Sequence, residues 1–170
     1  MTAPLLPYAA FQSFANSNGV EETRFAGVVS AIRDYCGWHI APVIESTFTL
    51  DGPDGELIQL RTLRLEGVAT VKVDGVEVTD YEWSEDGSLR RCYWTNRYRG
   101  VEVTASHGYA VIPDSIKQVV FDAVSRAVAT PAGTLPEKMG PFEFGGSQGG
   151  VQFFEHELKV LDRYRLEATP

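Results

Sequence analysis

Between Val20 and Cys36, apolar side chains recur at Phe25, Val28, Val29, Ile32 and Tyr35 or Cys36. That three-to-four spacing puts one buried stripe on an amphipathic helix. Gly37 follows as a residue free to turn left-handed at the helix end, and Trp38 is expected to pack back over it. The same spacing returns at Ile116, Val119, Val120, Ala123, Val124, Ala127 and Val128, after Pro113-Asp114, where Asp114 is placed to cap free backbone N–H groups. The pattern predicts helices over about 20–36 and 114–130, packed together.

Between these helices, over about 47–109, the period drops to two. In "VATVKVDGVEV" Val71 and Val73 share a face, Asp74-Gly75 suits a two-residue type I′ turn, and Val76 and Val78 return on that face. "YEWSEDGSLRRC" repeats the device around Asp86-Gly87, and "TFTLDGPDGELIQL" predicts a third, looser hairpin. "GVEVTASHGY" adds another strand. The class expected is α+β: a small helical core with a β-hairpin-rich insertion and an extended C-terminal tail.

Three segments are expected. Residues 1–19 form a Pro-rich extended arm, 20–130 the main domain, and 131–170 a partner-binding tail. The run "PAGTLPEKMGPFEFGGSQGG" holds too much Gly and Pro for a regular element, yet Phe142 and Phe144 alternate within it as in a short strand. "VQFFEHELKVLDRYR" then sets Phe154, Leu158 and Leu161 at helical spacing. Such a tail either packs on its own domain or orders on a partner, and the second is expected, because a Gly/Pro-rich stalk costs conformational entropy when it orders. The groups available to a partner are Phe142, Phe144, Phe153, Phe154, Leu158, Leu161 and Tyr164, with Arg163 or Arg165 for a carboxylate.

Charge narrows the functional classes. The chain has 170 residues with 23 acids against 15 Lys and Arg, a net charge of -8, so it repels phosphate chains on average and leaves nucleic-acid binding to a local basic patch. No stretch nears the roughly 20 apolar residues of a membrane span, and the N-terminus lacks the pattern of a signal peptide, so the protein is expected to stay in the cytosol where it is made. Cys36 and Cys92 stand far apart and outside CxxC spacing, which predicts two small buried thiols. His39, His107 and His156 are dispersed in no metal-binding spacing, and Gly-rich "FGGSQGG" lacks the Lys-Ser/Thr of a phosphate cradle and reads as a hinge. The pairs Glu21/Glu22 and Glu155/Glu157 read as solvated faces. No cofactor, metal or catalytic residue is expected, and the chain does not read as an enzyme.

One constellation points elsewhere. From Arg90 to Arg99 lie Arg90, Arg91, Arg97 and Arg99, interleaved with Tyr93, Trp94 and Tyr98 and without an acid. Arginines for phosphates and aromatics for stacking would make a single-stranded nucleic-acid surface, which is the alternative function. The acidic chain favours a hairpin with its aromatics inward and its arginines pairing with acids of a neighbouring subunit.

The phrases "AIRDYCGWHIAPV", "LRTLRLEGVATVKVDGVEV", "DYEWSEDGSLRR", "VEVTASHGYAVIPDSIKQVV" and "LDRYR", in that order, cover most of the chain from Ala31 onward. Together they make it resemble the head-to-tail adaptor, or head completion, proteins of long-tailed bacteriophages, particularly those of actinobacterial phages. The resemblance implies a non-enzymatic connector in the virion, assembled in the host cytoplasm. Copies form a twelve-subunit ring under the portal protein, joined to a tail-side connector protein, and DNA passes through the central channel without specific binding. The tail residues named above are then the expected portal anchor, and Arg90, Arg91, Arg97 and Arg99 the expected inter-subunit or tail-side contacts.

Overall fold

Asp74 and Gly75 both lie in the left-handed region, at φ 51° and 83°, and reverse the chain between β3 (Leu65–Val73) and β4 (Val76–Glu77). This is the type I′ geometry that Asp-Gly favours, because the first residue tolerates positive φ and the second has no Cβ. Asp86-Gly87 turns the second hairpin, between β5 (Glu82–Trp83) and β6 (Ser88–Arg90), with Gly87 at φ 92°. There the Asp86 carboxylate accepts the Ser88 N–H at 2.9 Å and the Ser88 hydroxyl at 2.7 Å, which pins the turn.

The computed structural model describes residues 5–9, 22–53, 55–129, 138–139, 142–143 and 151–166. The fold is α+β, and the chain divides into two compact units. One comprises Met1–Leu5, Cys36–Ile112 and Tyr164–Pro170; the other comprises Leu6–Tyr35 and Pro113–Arg163.

The first unit is built on a four-stranded antiparallel sheet in the order β1-β7-β3-β4, with β1 at Ile44–Leu50 and β7 at Val101–His107. Strand β7 is central and alternates strictly: Val101, Val103, Ala105 and His107 are buried while Glu102 is exposed. A second sheet, β2-β6-β5, places β2 (Leu57–Gln59) against β6. Ile58, Leu60, Leu65, Val71, Leu89 and Trp94 close the core with the inward face of β7. Each fully buried aliphatic side chain there contributes about 1.5–3 kcal/mol.

The third hairpin expected at residues 47–60 does not form. Strand β1 pairs with β7, whereas β2 pairs with β6 in the other sheet. The linker is instead bound to the loop before β7, for the Gly52 N–H donates to the Arg97 carbonyl at 2.9 Å and the Asp51 carboxylate accepts the Arg99 N–H at 2.7 Å. A Cβ at Gly52 would stand 1.8 Å from the Thr95 carbonyl oxygen, so only glycine allows this approach.

In the second unit α1 (Glu22–Cys36) buries Phe25, Val28, Val29 and Ile32, and α2 (Asp114–Ala129) buries Ile116, Val119, Val120, Ala123 and Val124. Arg24 donates to the Ala127 carbonyl at 2.5 Å, tying the two helices. Gly37 ends α1 at φ 78°. Asp114 is the first helical residue, and its carboxylate accepts a hydrogen bond from the Lys117 ammonium at 2.7 Å. The Pro113 carbonyl receives the N–H groups of Ile116 and Lys117.

A short helix, α3 (Glu155–Leu161), runs into a 3-10 turn at Asp162–Tyr164. Upstream, β8 (Lys138–Met139) and β9 (Phe142–Glu143) pair as a two-stranded ribbon. The residues expected in the N-terminal arm beyond 5–9, the Gly-rich hinge and Phe144 lie outside the described residues.

Candidate inter-subunit and partner surfaces

The arginine-rich segment divides in two. Strand β6 and its exit carry Arg90, which reaches Glu82 across the β5-β6 pair at 2.6 Å, and Arg91, which donates to Asp80 at 2.9 Å and to the Tyr93 carbonyl at 2.7 Å. The Arg91 hydrogen bond holds the Asp80 carboxyl below its ordinary range, against a smaller opposing push from burial. Trp94 turns inward: it is fully buried, donates from Nε1 to the Glu56 carbonyl at 2.8 Å, and lies 5.9 Å from the Arg91 guanidinium. Arg91 is therefore part of the scaffold around Trp94.

Beyond Trp94 the chain makes a tight loop that carries Arg97, Tyr98 and Arg99 on its outside. Arg97 stands 3.8 Å from Asp74, a loose pair with the arginine side chain 74% exposed. Arg99 adopts φ 55°, and Tyr98 is 89% exposed. The expectation of inward aromatics thus holds for Trp94 and fails for Tyr93 and Tyr98, which the short turns around them leave with no core to enter. The four arginines do not converge on one site, and three of them face carboxylates of their own chain.

The C-terminal segment joins its own chain to an extent the sequence pattern did not anticipate. Leu161 is fully buried and Glu157 is 1% exposed. Arg126 of α2 grips Glu157 with two hydrogen bonds of 2.8 and 2.7 Å, donates to the Gln152 carbonyl at 3.0 Å, and lies 4.2 Å over the Phe154 ring. The other Glu157 lone pairs receive the Phe154 N–H at 2.7 Å, closing the first turn of α3. Burial alone would raise the Glu157 carboxyl, but the Arg126 and Phe154 hydrogen bonds outweigh it and hold the group below the usual carboxylate range. Glu157 therefore departs from the expected solvated face while Glu155, 84% exposed beside Lys159, keeps to it, and α3 packs on its own chain, the course the sequence reading ranked second. The reason is a single buried ion pair, invisible in apolar spacing because its members are both charged.

Tyr164 is half-buried, its carbonyl accepting Trp38 Nε1 at 2.7 Å and its ring standing edge-on to Tyr109 at 6.0 Å. Trp38 is buried there, also against Tyr109. Leu158 and Phe153 are half-buried, whereas Phe154 and Arg165 are exposed, and Phe142 opens β9.

Two further expectations change. Cys36 is buried but Cys92 is exposed, because it leaves β6 on the solvent side. His39 and His107 are brought together with ring centroids 4.4 Å apart, His107 lying also against Phe48 at 4.8 Å. Gly108 makes this possible, since a Cβ there would stand 2.5 Å from His39 Nε2. Neither ring nitrogen of His107 has a hydrogen-bond partner among the described residues. Burial first, and then His39, push its imidazole down from 6.5 to about 4, so it is neutral and packs as an aromatic core residue. Among the described residues no group of three or more His, Cys, Asp or Glu is arranged to hold a metal, and no helix is long and apolar enough to cross a membrane.

The fold has solved counterparts. A chain titled "Neck of native GTA particle computed with C12 symmetry" superimposes with a TM-score of 0.67 at 15% identity, covering 100% of this chain and 95% of that one. A chain titled "Neck of empty GTA particle computed with C6 symmetry" does so with a TM-score of 0.63 at 16% identity, again covering 100% and 95%. The fold is therefore shared, over the full length, with neck chains of a gene transfer agent particle. No family model matches the sequence, and no curated protein matches it.

Proposed function

We propose that the protein is a structural head-to-tail adaptor of a tailed phage or phage-like particle. Copies form a ring of twelve beneath the portal, join capsid to tail through a tail-side connector, and continue the DNA channel. The observation that carries this reading is the full-length likeness to chains of particle necks computed with C12 and C6 symmetry. An acidic chain suits a conduit, because DNA must slide through without being held. The internal pairing of Arg90 and Arg91 weighs against a strand-binding surface.

In this reading the portal contact uses what the chain's own packing leaves exposed. Phe154 and Arg165 are surface groups, and Phe142 opens β9 of the two-stranded ribbon, an element suited to adding along an edge or groove, with Phe144, outside the described residues, proposed as a further contact. Leu161 and Tyr164, with half-buried Phe153 and Leu158, hold the segment in place for that contact. Deleting the gene in a particle-producing host tests the reading. Filled heads and separate tails, with few joined particles, are the expected result; normal joined particles would reject it.

A further inference from the structure

We infer that the loop Arg97-Tyr98-Arg99 is a preformed docking knuckle that seats on an acidic surface of a second copy of this chain; this deepens, and rests on, the ring reading above. The loop is braced on both sides. The Arg97 carbonyl accepts the N–H groups of Gly52 at 2.9 Å and Gly100 at 3.3 Å, the Arg99 N–H is held by the Asp51 carboxylate, and the Asp74 N–H donates to the Gly100 carbonyl at 2.7 Å. Glycine is required on both sides of the loop, since Cβ atoms at Gly52 and Gly100 would stand 1.8 and 2.5 Å from Thr95 atoms. Arg99 sits in the left-handed region at φ 55°, a conformation that costs a side-chain-bearing residue about 1–2 kcal/mol. All of this holds in place a tip whose tyrosine is 89% exposed.

Strain maintained to display an exposed aromatic between two guanidinium groups points to recognition rather than folding. Tyrosine and arginine are residues that concentrate binding energy, tyrosine through large contact area for two frozen torsions and arginine through bidentate hydrogen bonds. A groove of about 440 Å³ beside the tip is lined by Lys72, Asp74, Arg97, Arg99 and Glu102, so carboxylates interrupt the positive potential a phosphate chain would need. Separate protein carboxylates, each taken by one guanidinium, fit that pattern. The chain itself supplies them, with 23 acids against 15 Lys and Arg. A basic tip meeting an acidic face elsewhere on the next copy is a head-to-tail contact, the kind that closes a ring.

The test uses the full chain with p-benzoyl-phenylalanine in place of Tyr98, mixed in heavy and light isotopic forms at high concentration, where even a weak contact is populated. Illumination is expected to give peptides joining position 98 of one copy to an acidic segment of the other. Arg99→Glu in the same chain should lower that yield about tenfold, with the circular dichroism unchanged. Cross-links confined within one copy, a yield unaffected by Arg99→Glu, or preferential cross-linking to an added single-stranded oligonucleotide would each overturn the knuckle. Rings that form on the portal from Arg99→Glu as from the native chain would reject the knuckle while leaving the ring intact; a chain that never associates with the portal would reject the ring.

Discussion

His107 sits at the inner end of the central strand, where its neighbours are His39 and Phe48 and both ring nitrogens lack hydrogen-bond partners among the described residues. Its folded-state pKa of about 4 lies below the ordinary 6.5, so between those values the unfolded chain binds a proton that the folded chain refuses. Stability should therefore fall as pH drops through that window, by up to about 3 kcal/mol from this residue. Urea midpoints measured across the window in the native chain and in His107→Phe check it: the variant should lose much of the acid sensitivity. Arg126 makes the opposite kind of contribution, neutralising a carboxylate that is 1% exposed. Arg126→Ala leaves that charge buried without its partner and is expected to cost about 3 kcal/mol, read from the urea midpoint. Neither residue announced itself in the sequence. A histidine in a β-alternating phrase and an arginine on an amphipathic helix are ordinary letters until the fold supplies their neighbours.

Among the elements, the two hairpins and two long helices were legible because local physics specifies them. Asp74-Gly75 and Asp86-Gly87 carry their own turn geometry, and the stripes from Phe25 to Ile32 and from Ile116 to Val124 keep one period throughout. The looser phrase around Asp51-Gly52 has the letters of a hairpin without forming one, because its glycine serves a close approach to Thr95, which is distant in sequence. The two kinds of glycine should separate on mutation. At Gly75, where an added Cβ meets nothing, Gly75→Ala carries only the left-handed penalty of about 1–2 kcal/mol. At Gly52 the same change collides with backbone, and its loss should be clearly the larger, whether measured as a midpoint shift or as yield of folded protein. The C-terminal helix was legible as a helix but not in its attachment, since apolar spacing cannot show the Arg126–Glu157 pair that fastens it. Truncation after Thr134 should accordingly lower the melting temperature by several degrees, through loss of buried Leu161 and of that pair.

For the whole molecule, the sequence offered order and charge, and the structure offers two compact units with exposed groups at defined places. The partner-facing groups were the least legible part. Whether Arg91 braces Trp94 or meets a neighbour depends on the exit of one strand, and nothing in the run from Arg90 to Arg99 distinguishes it from Arg99. The proposed ring rests on the acidic charge of the chain, the exposed loop at Arg97–Arg99 and the fold shared with neck chains. The most direct measurement is electron microscopy of the purified chain mixed with the portal protein of its own particle, compared with the chain alone. The account predicts a closed ring of copies seated on the portal around an open central channel, and little assembly without it. A two-fold dimer unchanged by the portal, or no association with the portal at all, would contradict it.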